Sequence, residues 1–89
     1  MIITFDPAKD QINKDKHGVS LAAAQRINWD DAFIEVDARS DYGELREVGY
    51  VFLDDRLHIV IFTRRGDGLR IISLRRANSR EVRYYADQN

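Results

Sequence analysis

The sequence predicts an α+β domain: two N-terminal helices packed on an antiparallel β-meander, with a C-terminal helix closing one side. Three observations carry this. Helix-start signals gather in the first third, at Asp6-Pro7 and Ser20. Three strand-like runs follow, at Leu45–Leu53, Leu57–Arg65 and Leu69–Arg75, separated only by the turn signals Asp54-Asp55 and Gly66-Asp67-Gly68. An arginine-studded helical stretch ends the chain. At 89 residues, this is one domain, 1–89, with no linker, internal repeat or low-complexity segment.

In chain order, Ile2 to Phe5 is a short β-like start. Asp6 then caps free amides, and Pro7 fits a first helical position. This helix is expected to run through Ile12 to about Lys16. Lys16 and His17 favour its negative end, and Gly18 supplies a left-handed stop. Ser20 restarts the chain as N-cap for Leu21-Ala-Ala-Ala-Gln-Arg-Ile27, whose small residues allow close packing. Trp29 lies near its end as a packing residue. Phe33 to Val36 reads as strand or loop, and Asp37 to Gly43 as a polar loop. After the meander, Asn78 is the N-cap candidate for a last helix reaching Ala86.

Two-residue turns would set the register. With Asp54-Asp55 as the first turn, Leu53 faces Arg56 and Val51 faces His58. With Gly66-Asp67 as the second, Arg65 faces Gly68 and His58 faces Arg75. Alternation then places Val48, Tyr50, Phe52, Leu57, Ile59, Ile61, Ile72 and Leu74 on a core face awaiting the two N-terminal helices. The other face holds Glu47, Val51, His58, Val60, Phe62, Arg64, Leu69, Ile71, Ser73 and Arg75. A one-residue slip would exchange Arg75 for Arg76.

Charge is segregated. Residues 1–55 carry 6 Lys+Arg against 12 Asp+Glu, a net of −6; residues 56–89 carry 8 Arg and no Lys against 3 Asp+Glu, a net of +5. The total of −1 therefore hides a dipolar molecule. Arginine forks suit bidentate binding of phosphate or carboxylate. A phosphate-rich partner is one reading, and an arginine face paired with the acidic half is the other. The absence of Cys excludes disulfides and thiolate metal sites, and two His are too few for a histidine metal centre, so no metal or cofactor is expected. No apolar run approaches a membrane span, and the N-terminus lacks a signal-peptide pattern. A cytoplasmic setting without membrane contact is expected.

Arg and His on one sheet face suit phosphodiester chemistry. Attack by a 2′-hydroxyl needs a base, a cation for the phosphorane charge and an acid for the leaving oxygen. Arg64, Arg75 and Arg76 are the candidates for charge stabilisation, and His58 or His17 for proton transfer. Lys16, Arg70, Arg80 and Arg83 are candidate RNA contacts. Tyr84 or Tyr85 would stack a base or donate a proton. Each has a structural reading beside it. His58 suits a structural strand residue, and His17 a helix-dipole partner. Arg80 and Arg83 have Glu81 or the acidic half to pair with.

Several blocks, in order, carry a resemblance: Phe5-Asp6-Pro7-Ala8-Lys9; Asn13 with Lys16-His17-Gly18-Val19-Ser20; Ala24; Tyr42-Gly43-Glu44-Leu45-Arg46 with Gly49; Arg70-Ile-Ile-Ser-Leu-Arg-Arg-Ala77; and Arg80-Glu81 with Tyr84 or Tyr85. Across almost its whole length, the chain resembles the BrnT-type toxins of bacterial toxin–antitoxin modules. Leu74 departs from the pattern, which usually has Ala there, and a pI near 6.1 is low for an RNA-cleaving protein. The resemblance implies a RelE-like α/β fold and a ribonuclease toxin that blocks translation by cutting RNA; because 2′-hydroxyl attack requires no metal, a metal-independent endoribonuclease is expected. It also implies a BrnA-type antitoxin with a ribbon-helix-helix part, forming a 2:2 complex that reaches operator DNA only through the antitoxin. The rival reading is a non-catalytic arginine-rich module that grips an acidic protein or a nucleic acid.

Overall fold

The computed structural model describes residues 1–37 and 43–88. Tyr42, and with it most of the expected polar loop, lies outside the described residues. Strands β1 (Ile2–Thr4), β2 (Phe33–Val36), β3 (Glu47–Leu53), β4 (Arg56–Arg65) and β5 (Gly68–Arg76) form one five-stranded sheet, ordered β1-β5-β4-β3-β2. Helices α1 (Pro7–His17) and α2 (Ser79–Asp87) complete the regular structure with two 3₁₀ segments, Leu21–Arg26 and Trp29–Asp31.

The expected meander is present but forms only the centre of the sheet. β2 adds antiparallel to β3, and β1 adds parallel to β5, so the sheet is mixed. Gly68 makes the parallel addition possible: a Cβ there would lie 2.5 Å from the Ile2 carbonyl oxygen. The second N-terminal helix is also corrected, from α to 3₁₀. Its Ser20 cap is as read, accepting from Ala22 N. In a run of six residues, i→i+3 bonds close more rings than i→i+4 bonds do.

The first hairpin has the expected register, with Val51 opposite His58 and Leu53 opposite Arg56. Asp54 and Asp55 both adopt left-handed φ, of 51° and 64°, as a two-residue turn matched to strand twist requires. The second hairpin also starts as expected, Arg65 opposite Gly68. It then shifts: Phe62 pairs with Ile71 but Ile61 with Ser73, leaving Ile72 unpaired. This bulge puts Arg76, not Arg75, opposite His58 and turns Leu74 to the Val60 face.

The choice of covered face is corrected as well. The N-terminal segment packs on the side of Val51, Leu53, Val60, Phe62, Leu69, Ile71 and Leu74, where Leu21, Ala23, Ala24 and Ile27 complete the core. Trp29 meets the Phe62 ring edge-on at 5.2 Å. The opposite side carries an aromatic group of Phe33, Tyr50, Phe52, Tyr84 and Tyr85, through which α2 docks. Asn78 caps α2 in a reciprocal capping box with Glu81.

Helix α1 is attached differently. Its buried residues are Asp10 and Asn13, both polar. Asp6 caps it from Oδ1 to Ala8 N at 2.9 Å, and Gly18 ends it at φ 71°. Asp10 Oδ1 accepts from Leu21 N at 2.7 Å and from Ser20 Oγ at 3.0 Å, tying the helix to the next segment. Asn13 Nδ2 donates to Leu74 O at 2.7 Å and to Val19 O at 2.8 Å, while Leu74 N donates to Asn13 Oδ1 at 3.2 Å. The amide thus replaces the strand neighbour that β1 no longer supplies beyond Thr4. No helix among the described residues is long and apolar enough to cross a membrane.

The Asn13 amide both donates to and accepts from the Leu74 peptide, whereas an ionised carboxylate only accepts. Asn13→Asp should therefore destabilise the fold nearly as much as Asn13→Ala. Each strands buried acceptors, at about 1–3 kcal/mol per group, which corresponds to a Tm loss on the order of 10 °C. Thermal melts check this; an Asn13→Asp melt at the wild-type temperature would show that the clamp carries no load.

Candidate functional site

Where β1 ends, α1 runs along the exposed edge of β5 and a groove opens between them. It consists of two adjoining depressions that share Lys9 and Ile72. The first, about 240 Å³, is lined by Lys9, Ile12, Asn13, Lys16 and His17 of α1 with Ile72 and Ser73 of β5. The second, about 140 Å³, is lined by Thr63, Arg65, Arg70, Ile71 and Ile72 of the sheet, Arg46 and Glu44 before β3, and Asp6 and Lys9. Cations outnumber carboxylates along the groove. Arg65 is paired with Glu44 at 2.9 Å. Lys9, Lys16 and Arg70 make no ion pair among the described residues.

The bulge sorts the sequence candidates onto two sides of the sheet. Arg70, Ser73 and Arg75 share one face, opposite Thr63, Ile61 and Ile59 on β4. His17 and Lys16 border that face from the last turn of α1. Tyr84 also stands on this side, its ring tilted against Tyr50 at 5.7 Å and its hydroxyl donating to Glu35. Arg64, His58 and Arg76 lie on the other face, the side of the N-terminal core. Arg64 and Arg75, expected together, are therefore separated by the sheet.

Several candidates are already engaged. Arg64 forks Glu47, Nε donating at 2.6 Å and Nη2 at 3.2 Å, and lies over the Phe62 ring. This hydrogen-bonded pairing raises the Arg64 pKa. His58 is buried, with Nδ1 2.8 Å from the Arg56 carbonyl oxygen. Arg75 forks Glu81 through two 2.8 Å bonds. That fork holds the Glu81 carboxyl below its ordinary value, against the burial that pushes it up. The bond to Glu35 raises the Tyr84 phenol, which keeps its proton. Arg76, Arg80 and Arg83 are exposed. Among the described residues, no group of three or more His, Cys, Asp or Glu could hold a metal ion.

Reasoning from the sequence missed Lys9, Thr63, Arg65 and Ser73 as groove residues. A signal for part of this was present: Lys9, Ile12, Asn13 and Lys16 follow an i, i+3, i+4, i+7 stripe on one side of α1. The stripe is mostly polar, so a search for apolar period passes over it. Ser73 gave no signal, because its position depends on the bulge, and Thr63, in expected register with Arg70, was not singled out.

Fold and groove together define a small α+β domain that presents cations and an imidazole along a helix–strand edge, a form suited to a phosphate-bearing chain. Sequence comparison sharpens this class. The family described as "Ribonuclease toxin, BrnT, of type II toxin-antitoxin system" matches residues 5–81, and the chain belongs to that family. A crystal structure of the Brucella abortus ribonuclease toxin BrnT is similar, with a TM-score of 0.68 and 26% identity, covering 86% of this chain and 96% of that one. Among curated proteins, no sequence matches. A toxin of a type II module has an antitoxin partner, and a ribonuclease has RNA as its substrate.

The Arg75–Glu81 fork predicts how α2 responds to acid. Glu81 has a folded pKa below its unfolded one, so its contribution is fully present above the unfolded value and is lost as pH falls through the folded value. The near-UV signal of the stacked tyrosines should therefore decline below about pH 4.5, the ordinary glutamate value. Asp10, lowered chiefly by the Leu21 amide, titrates in the same acid range on the other side of the molecule. Glu81→Gln isolates the fork: its tyrosine signal should be weaker at neutral pH and flatter with acid. An acid profile identical to wild type would rule out the fork as the α2 anchor.

Proposed function

We propose that this chain is a metal-independent endoribonuclease toxin that cuts RNA in the groove between α1 and β5 and thereby inhibits translation. The carrying observation is the convergence of Lys9, Lys16, His17, Arg70 and Ser73 on one groove in a member of a ribonuclease toxin family. The groove offers the groups that 2′-hydroxyl attack uses. His17 is the groove's imidazole and moves the proton. Lys16 and Arg75 oppose the charge of the phosphorane; the Glu81 fork holds Arg75 on the Ser73 side of the sheet. Arg70 contacts the substrate backbone, and Tyr84 borders the same side as a stacking surface. Arg64, His58 and Arg76 act, in this reading, through the fold on the opposite face.

The partner in this proposal is a BrnA-type antitoxin with a ribbon-helix-helix part, in a 2:2 complex that contacts operator DNA through the antitoxin alone. Exposed Arg80 and Arg83 on α2 support an inhibitor that presents carboxylates, since the same forks take phosphate and carboxylate. Cytoplasmic action follows from an RNA target shared with translation.

Inducible expression, growth curves and RNA gels test the toxin reading, and purified protein with a chelator present tests metal independence. RNA should be cut in both settings. His17→Ala and Lys16→Ala should each lower the cleavage rate, on the order of 10²-fold for a preorganised charge or proton-transfer group. Arg64→Ala should cut like wild type. Folded protein that shifts RNA without cutting it would instead establish a binding module.

A further inference from the structure

The second depression contains an oddity that the cleavage chemistry leaves unused. Thr63 is 1% exposed, and its hydroxyl oxygen has no hydrogen-bond partner among the described residues. A buried hydroxyl without a partner carries an unrecovered desolvation cost. It lines a depression beside two cations that also make no ion pair among the described residues: Arg70, its direct partner on β5, and Lys9 of α1. The remaining charges nearby are largely committed. Arg65 and Glu44 pair with each other, and the Asp6 carboxylate caps α1 at Ala8 N.

We infer that this depression is a subsite for one backbone phosphate of single-stranded RNA, held by Lys9, Arg70 and the Thr63 hydroxyl. The naming of RNA rests on the ribonuclease reading; the phosphate chemistry rests on the donors. Three kinds of donor converge from three elements: an ammonium from α1, a guanidinium from β5 and a hydroxyl from β4. A phosphodiester offers two free, negatively shared oxygens plus its ester oxygens, enough acceptors for all three, and it neutralises cations that otherwise face one another. A carboxylate satisfies an arginine fork but leaves fewer acceptors for the others. Lys9 lines both depressions, so a strand gripped here extends directly into the depression that holds Lys16, His17 and Ser73. The subsite thus sets where the substrate backbone lies relative to the proposed point of cleavage.

The test uses the whole chain and a mixed-sequence 2′-O-methyl oligoribonucleotide, which cannot be cut because its 2′ oxygen cannot attack. Fluorescence anisotropy over a salt series gives affinity and salt slope. Lys9→Ala and Arg70→Ala should each weaken binding roughly tenfold and reduce the slope by about 0.7 per lost phosphate contact. Thr63→Val should weaken binding about three- to tenfold, yet melt at or above the wild-type temperature, because it deletes an unpartnered hydroxyl and keeps the shape. That opposite pair of effects is one a merely structural threonine would not give. Unchanged affinity and slope in the Lys9→Ala, Arg70→Ala double variant would overturn the subsite, whatever Thr63→Val does. Cleavage of unmodified RNA, followed in parallel, separates the two readings. Binding with the expected pattern but no cutting would sink the ribonuclease reading and keep the subsite. Normal cutting with unaffected binding in the double variant would do the reverse.

Discussion

Ile72 has no partner on β4, and that unpaired residue decides which side chains of β5 meet the core. Before it, Leu69 and Ile71 point to the N-terminal layer. Without the bulge, strict alternation would continue with Ser73 and Arg75 on that side. The extra residue re-phases the strand, so Leu74 enters the core and Ser73 and Arg75 emerge on the other face. Immediately beyond, Asn13 takes both polar groups of the Leu74 peptide. Bulge and clamp act together: the first aims the side chains, and the second fixes α1 beside them. A groove between α1 and β5 exists because both are in place.

The arginine excess of the C-terminal third is less available than its count suggests. Arg64 and Arg65 are held by Glu47 and Glu44 from the acidic half, and Arg75 by Glu81 within its own third. Such pairs, where exposed, contribute little stability. Their clearer effect is to commit Arg64 and Arg65 to carboxylates and to hold Arg75 in place on the Ser73 side. Among the described residues, the cations that face the groove without an ion pair are Lys9 and Lys16, from the half that is acidic overall, and Arg70. A chain with an acidic pI therefore presents a locally basic groove, because function depends on where charge is unpaired and not on its sum.

Much of the local structure was legible in the sequence because its causes are local. Asp6-Pro7, Gly18, Ser20 and Asn78 sit where capping chemistry places them, and Asp54-Asp55 makes the two-residue turn that sets the first hairpin. The covered face was not legible, because both faces of the meander carry apolar residues, and neither was the phase of β5 beyond Ile72, because a single unpaired residue inverts every assignment after it and nothing in Arg70-Ile-Ile-Ser-Leu announces which residue bulges. The parallel β1 was equally hidden: three residues carry no periodicity, and their partner lies at the far end of the chain. Among the site candidates, His17, Lys16 and Arg70 reached the groove, whereas Arg64 and His58 kept their expected side, which the N-terminal core covers, and the shift brought Arg76 to that side while taking Arg75 away from it.

The polar inner side of α1 follows from what it packs against. A helix laid on a sheet face buries apolar side chains, but α1 lies along a strand edge, where unpaired N–H and C=O groups need partners. Asn13 meets that need at Leu74, and Asp10 accepts from the Leu21 amide that opens the first 3₁₀ segment. An apolar stripe would leave those groups unsatisfied and would bind the helix less specifically. Attachment by a few directed bonds also leaves the neighbouring stripe of Lys9, Ile12 and Lys16 open to the groove. The helix that completes the fold is thereby the one that forms a wall of the candidate site. Mutations that loosen Asn13 should consequently impair function through Lys9, Lys16 and His17, which never touch the core themselves.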